Sequence, residues 1–284
     1  MTENVRNVVK FASDTLGAAA VTNAKREATL LLAHILNEDA GFLYREPDRI
    51  LTAQEKEAFD LLVNRRSKRE PLSHLTGHRE FWSLDFLVTA DVLDPRADSE
   101  TLIEAVLAAR NDRFQPRHIL DLGTGSGCLL LALLSELPAA TGIGIDKSEA
   151  ALSIARKNAA RLGLDKRAAF YQGNWGTGWN EKFDLLVSNP PYIPAGDIDA
   201  LQPEVRDYEP HLALAGGRDG LDSYRTILDG VRENLRPGGL LVFEVGAGQA
   251  PDIGRMMQEV GFLAPQFHKD LAGIDRCVSA FLGE

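Results

Sequence analysis

From Asp98 onward, strand-length apolar runs alternate with amphipathic stretches, and that alternation constrains the fold more than any other feature. The runs are His118–Leu122, Thr141–Asp146, Ala168–Gln172, Phe183–Ser188 and Gly239–Glu244. Nearly continuous apolar strands need cover on both faces, as in parallel sheets built with crossover helices. Ser99–Arg110, Cys128–Glu136, Glu149–Leu162, Tyr224–Asn234 and Ala250–Val260 supply those helices. Two further strands are expected near 264–268 and 276–281. The predicted class is α/β, a largely parallel sheet with helices on both sides.

The first 70 or so residues follow a different rule. Val5, Val8, Val9, Phe11 and Ala12 recur at helical spacing. Helices are also expected over Ala24–Leu36 and from Thr52, a plausible N-cap, to Lys68. These pack as a small bundle. Arg65-Arg66-Ser67-Lys68-Arg69 reads as a solvated helix end whose cations complement the helix dipole, with contact to an acidic partner surface as the alternative. Alternation broken by Gly77 suggests a linking β-hairpin. The expected organisation is a helical domain over 1–72, a hairpin linker over 73–96 and a second domain over 97–284.

No apolar run approaches the roughly 20 residues of a membrane span, and Met1–Lys10 lacks a signal-peptide core. Cys128 and Cys277 lie far apart without ligand spacing, which argues against a disulfide framework or a zinc site. His74, His78 and His211 show no ligand spacing either, and no metal is expected. A cytoplasmic protein is the expectation. The net charge of −10 and pI near 5.2 disfavour a general nucleic-acid binder.

Asp121-Leu122-Gly123-Thr124-Gly125-Ser126-Gly127 follows the first of the parallel strands and opens a helix. Glycines there let the backbone approach a ligand, and the helix N-terminus offers unpaired N–H groups. Asp146 ends the next strand, placed to accept two ribose hydroxyls; a helix N-cap is the competing role. Cys128 breaks the dinucleotide fingerprint, and no Lys-Ser/Thr pair marks a P-loop. A nucleoside without phosphates fits better, and S-adenosylmethionine is the obvious one. Asn174 and Trp175, after the third strand, suit an adenine, with plain packing as the other reading for Trp175.

Asn189-Pro190-Pro191-Tyr192 ends the Phe183–Ser188 strand. The prolines remove backbone donors and fix φ, and Asn189 is held extended before them. An amide side chain, a proline carbonyl and an aromatic ring are thereby presented at a strand end, where open α/β sheets bind ligands. Such a fork suits a planar NH₂ group: the Asn189 oxygen and the Pro190 carbonyl each accept one N–H, and Tyr192 stacks on the plane. Residues 204–208 and 216–220 read as a surface loop shaping the substrate channel.

With these features the chain resembles the protein-(glutamine-N5) methyltransferases that modify peptide chain release factors. The resemblance runs through Phe81-Trp82, Val92–Arg96, Asp121–Gly127, Ser188–Ile193, Tyr208–Pro210, Gly216–Leu221 and Asp270–Arg276. Ala97 and Asn174 depart from the family's usual Pro and Asp. It implies a class I, Rossmann-like S-adenosylmethionine-dependent fold, with Gly123, Thr124, Gly125, Ser126, Gly127, Asp146, Asn174, Trp175 and Asn189 at the cofactor. Asn189, Pro190, Pro191 and Tyr192 would hold the substrate, with Asn189, Pro190 and Tyr192 catalytic. The implied target is the glutamine of the release factor Gly-Gly-Gln loop, gripped by the helical domain of a monomeric enzyme. An exocyclic amine of DNA or RNA, such as adenine N6, is the alternative, since Asn-Pro-Pro-Tyr also serves that chemistry.

Overall fold

The computed structural model describes residues 3–175, 179 and 181–283. The chain divides into two units, one of residues 1–78 with 202–208 and one of 79–201 with 209–284.

The first unit is helical: α1 (Val5–Ala18), α2 (Ala24–Leu36), α3 (Ala40–Arg45), α4 (Ala53–Ser67) and α5 (Leu72–Thr76). Val8, Ala12, Leu16, Leu31, Leu32 and Phe59 form its core. Thr52 and Glu55 close a capping box at the start of α4. The basic run ending α4 is not a solvated helix end. Arg66 is 4% exposed and reaches Glu27 at 2.5 Å and Glu204 at 3.0 Å. Arg69 holds the other Glu204 oxygen at 2.6 Å, and Arg65 pairs with Glu70. Glu204 arrives on the returning segment 202–208, so Arg66 and Arg69 are neutralised within the unit, while Lys68 stays exposed. That segment therefore does not form one surface loop with 216–220.

The second unit opens with a hairpin, β1 (His78–Phe81) and β2 (Leu84–Leu87). Residues 73–76, expected to start the hairpin, instead belong to the short helix α5, ended by Gly77 at φ 75°. Trp82 and Ser83 both hold positive φ, as a two-residue type I′ turn demands. Their N–H groups donate to Glu100 and Glu80 at 2.8 and 2.6 Å. Phe81 and Phe86 lie in the core of the second unit. The hairpin is thus part of that unit, where a linker over 73–96 was expected.

A 3₁₀ turn (Ala97–Ser99) leads into α6 (Glu100–Ala109), β3 (His118–Leu122), α7 (Cys128–Glu136), β4 (Thr141–Asp146) and α8 (Glu149–Arg161). Then come β5 (Ala168–Gln172), β6 (Phe183–Ser188), α9 (Pro203–Arg206, in the first unit), α10 (Asp222–Asn234) and β7 (Leu235–Glu244). α11 (Ala250–Glu259), β8 (Phe262–Lys269) and β9 (Asp275–Leu282) end the chain. The seven strands order as β5-β4-β3-β6-β7-β9-β8, with β9 antiparallel to β7. Alternate residues serve opposite faces. Ile119, Leu185, Val187 and Val242 pack with α6, α7 and α8. Leu120, Leu186, Leu241 and Phe243 pack with α10 and α11. Strand order reverses between β3 and β6, which are paired in parallel. Ligands of doubly wound sheets bind at the carboxyl ends beside such a reversal.

Candidate active site

A cavity of about 310 Å³ opens at that point. Gly123, Thr124, Gly125, Ser126, Asp146, Asn174, Trp175, Asn189 and Pro191 all line it. Gly127, Pro190 and Tyr192, also expected at the site, do not line the cavity. Gly127 sits behind the loop, where a Cβ would meet Ala155 and Leu131 at 3.2 Å. Pro190 is buried, and Tyr192 turns its hydroxyl toward Glu244 at 3.4 Å.

Gly123, Gly125 and Gly127 hold φ of 73°, 54° and 81°, the left-handed region that glycine enters without penalty. The loop is anchored from below. Gly123 and Thr124 donate backbone N–H to the Ile145 carbonyl at 2.8 and 3.0 Å. Thr124 Oγ1 donates to Asp121 Oδ2 at 2.6 Å. Burial, aided by the charge of Asp146, pushes the Asp121 carboxyl up to about 7. Asn158 on α8 donates to the Ser126 carbonyl at 2.9 Å.

Asp146 is not the N-cap of α8; Ser148 is. The Asp146 oxygens accept from the Gly125 and Ser148 N–H groups, each at 2.9 Å. An ionised carboxylate has about four lone-pair sites, so two remain for a vicinal diol. Glycine-lined backbone, an acidic diol acceptor and an aromatic at the third strand end fit a nucleoside.

The Asn-Pro-Pro-Tyr turn is fixed from several sides. Ser188 Oγ donates to the Leu122 carbonyl at 2.6 Å, tying the ends of β6 and β3. Asn189 Nδ2 donates to Ser99 Oγ at 3.3 Å, and among the described residues its Oδ1 accepts nothing. Ile193 N–H bonds the Leu214 carbonyl and Gly216 N–H bonds the Ile193 carbonyl. Gly216 and Gly220 are glycines because the turn leaves no room. A Cβ at Gly216 would stand 2.8 Å from the Pro191 oxygen, and one at Gly220 2.3 Å from the Tyr192 oxygen. Residues 216–220 thus buttress the turn.

Four contributors were not foreseen in these roles. Gln249 Nε2 donates to the Tyr192 carbonyl at 3.0 Å. Ser99, which also lines the cavity, meets Asn189, and Glu244 stands behind Ser99 and Tyr192. Arg276 bonds Asp270 at 3.2 Å and Asp98 at 3.4 Å, which gives the late Asp270–Arg276 motif a place beside Glu244. Beside the cavity, Arg96 holds the buried Glu209 at 2.5 Å. Burial nonetheless pushes that carboxyl up to about 7. Among the described residues no group of three His, Cys, Asp or Glu is arranged to hold a metal, and no helix is long and apolar enough to cross a membrane.

Residues 7–77 match a family profile described as the PrmC N-terminal domain, and residues 115–260 one described as a methyltransferase domain. A release factor glutamine methyltransferase of Rhodospirillum rubrum is 47% identical, over 93% of this chain and 81% of that protein. The protein of the same description from Geobacter sulfurreducens is 43% identical, over 98% of this chain and 97% of that protein. Among solved structures, a Pyrococcus furiosus methyltransferase matches with a TM-score of 0.55 at 18% identity, covering 78% of this chain and 99% of that one. The hMettl16 catalytic domain matches with a TM-score of 0.58 at 14% identity, covering 77% and 82%. At such identities the two structures share the fold alone.

Proposed function

The chain belongs to the release factor glutamine methyltransferase family, and from that we infer that it methylates the side-chain nitrogen, N5, of the Gly-Gly-Gln glutamine in peptide chain release factors. S-adenosylmethionine is the donor and supplies a methyl group already activated on a sulfonium. The observation that carries the reading is Asn189, whose Oδ1 is unengaged in a rigid turn facing the nucleoside-shaped cavity.

A carboxamide nitrogen is a weak nucleophile because its lone pair is delocalised into the carbonyl. The chain's own contribution is therefore positioning and electrostatics. We assign Asn189 Oδ1 and the Pro190 carbonyl as acceptors for the two amide N–H bonds. Held this way, the nitrogen presents its lone pair along one direction. Pro191, which lines the cavity, is assigned to limiting the plane of the amide. We assign Gly123, Thr124, Gly125, Ser126 and Asn189 to the donor's body, with Gly127 shaping the loop from behind, Asp146 to its ribose, and Asn174 and Trp175 to its adenine. The helical unit is assigned to gripping the protein substrate, in a monomeric cytoplasmic enzyme that makes no direct nucleic-acid contact. A stable dimer in light scattering would remove the monomer from this account.

The test is transfer of labelled methyl from S-adenosylmethionine to release factor, with a Gln-to-Ala loop variant, duplex DNA and RNA as parallel acceptors. Label is expected on wild-type release factor alone. Label on nucleic acid and none on protein would instead establish an exocyclic-amine methyltransferase. Asn189→Ala should lower kcat by about 10²–10³-fold, the usual cost of one oriented polar group in an active site. Near wild-type turnover would sink the assignment.

A further inference from the structure

One buried carboxylate behind the turn has no role in the chemistry above. Glu244 ends β7, is 1% exposed, and receives side chains from two distant parts of the chain. Ser99 Oγ lies 2.5 Å from its Oε2, and the Tyr192 hydroxyl 3.4 Å from its Oε1. Ser99 Oγ in turn meets Asn189 Nδ2 at 3.3 Å. The side chains form a line from Glu244 through Ser99 to Asn189.

A hydroxyl has one proton to give. An ionised carboxylate only accepts, so Ser99 must spend its proton on Glu244. The Ser99 oxygen then offers lone pairs alone. Asn189 can meet it only with its NH₂, and Oδ1 is left facing away, in the sense an incoming N–H requires. A protonated Glu244 can donate to Ser99 instead. The Ser99 proton is then free to bond the Asn189 oxygen, and the amide can turn over.

We propose that Glu244, acting through Ser99, is a positioning residue that sets which way the Asn189 amide faces, and that only its ionised form holds the productive orientation. This rests on the assignment of Asn189 to the substrate amide. Burial pushes the Glu244 carboxyl up to about 7, with Asp98 acting in the same direction; the Ser99 hydrogen bond, Arg276 and Tyr192 oppose it. Arg276, from β9, divides its guanidinium between Asp270 and Asp98. Tyr224, from α10, gives its hydroxyl to the Glu244 backbone carbonyl at 2.8 Å. Burial holds the phenols of Tyr192 and Tyr224 and the thiols of Cys128 and Cys277 above their ordinary ranges, so of these five groups Glu244 is the one that changes charge near neutrality. Asp121 and Glu209, which also titrate near 7, are told apart from it by the Glu244 and Ser99 variants.

The test is the single-turnover methylation rate against pH, at saturating S-adenosylmethionine and release factor, with calorimetric cofactor binding as the check on folding. The wild-type rate should fall on the acid side of about pH 7, approaching tenfold per pH unit. Glu244→Gln cannot ionise, and its acid limb should vanish. Ser99→Ala breaks the same line elsewhere and should also flatten the limb, at roughly a tenfold lower plateau, the worth of about one hydrogen bond. Ser99→Thr keeps a hydroxyl and should restore the limb. A wild type without the limb overturns the proposal, as does a full limb in Ser99→Ala or in folded Glu244→Gln. Should Glu244→Gln fail to bind cofactor, the two Ser99 variants decide. If Asn189→Ala retains turnover, the assignment of Asn189 falls and takes the relay with it. If Asn189→Ala is inactive while the relay variants match wild type, the relay alone falls.

Discussion

Replacing Asn158 should cost both stability and cofactor affinity, because the Gly-rich loop leans on it from α8. Its side chain is fully buried and bonds only to backbone. Oδ1 accepts from the Leu87 N–H at 2.7 Å, while Nδ2 donates to the carbonyls of Leu87 at 3.1 Å and Ser126 at 2.9 Å. Alanine strands all three groups. A buried orphan costs about 1–3 kcal/mol, a solvated one much less. Leu87 is half-buried and can recover water for its two groups, whereas Ser126 is buried. A loss of about 2–4 kcal/mol follows, short of three full penalties. The Ser126 carbonyl belongs to the cofactor loop, so S-adenosylmethionine should bind roughly tenfold more weakly, about 1.4 kcal/mol. Asn158→Asp should be worse, since it sets a carboxylate oxygen against two carbonyls. Urea unfolding with linear extrapolation reads the stability, and calorimetric titration the affinity. An Asn158→Ala protein within ~1 kcal/mol of wild type, with unaltered affinity, would refute the idea that the loop is held from α8.

Gly220→Ala should impair turnover with little effect on cofactor affinity, because its Cβ would stand 2.3 Å from the Tyr192 oxygen at a φ of 80°. A kcat at least about tenfold lower is expected, with about 1–3 kcal/mol of overpacking strain; Gly163→Ala, at φ 69° with nothing within 4 Å, should cost stability alone. If both variants lose turnover equally, the close approach is not the cause. The pH dependence of stability should also be unusual. Asp121, Glu209 and Glu244 titrate near 7 when folded, above their ordinary 3.8, 4.5 and 4.5, so the folded protein binds more protons than the unfolded chain around neutrality. Stability should therefore rise on acidification, by about 2 kcal/mol for the three together between roughly pH 8 and 6.5. His34 and His268, whose burial lowers their pKa, oppose this below about 6.5. Urea midpoints without cofactor would show it, and Glu244→Gln should remove about a third of the slope. A midpoint that falls on acidification over that window refutes the linkage.

The sheet was legible because its strands are written locally. Runs such as His118–Leu122 and Phe183–Ser188 are apolar on both faces and stop at glycine or Asn-Pro, and the observed strands have those bounds. The cofactor loop was legible for a similar reason, since Gly123, Gly125 and Gly127 each mark a backbone position with positive φ. What stayed hidden depends on partners far away in the chain. Arg66 looked like surface charge because Glu204, which buries it, lies 138 residues on. Gly216 and Gly220 were visible as glycines, but not the carbonyls of Pro191 and Tyr192 that press on them. Ser99 and Glu244 are 145 residues apart and meet because the turn that opens α6 packs against the end of β7.

Yet Glu244 did leave a trace, as an acidic residue closing the all-apolar run Leu240–Phe243. A carboxylate carried into a sheet core is costly unless something there pairs with it. Ser99 and Tyr192 offer neutral hydroxyls, and the nearby cation is shared with two other acids. Such a site stabilises the fold poorly, since a neutral residue would avoid the desolvation. What a neutral residue cannot do is oblige Ser99 to donate away from Asn189. The placement of Glu244 is therefore better explained by the orientation of the substrate-facing amide than by packing. The Asn-Pro-Pro-Tyr turn then extends to the two side chains behind it.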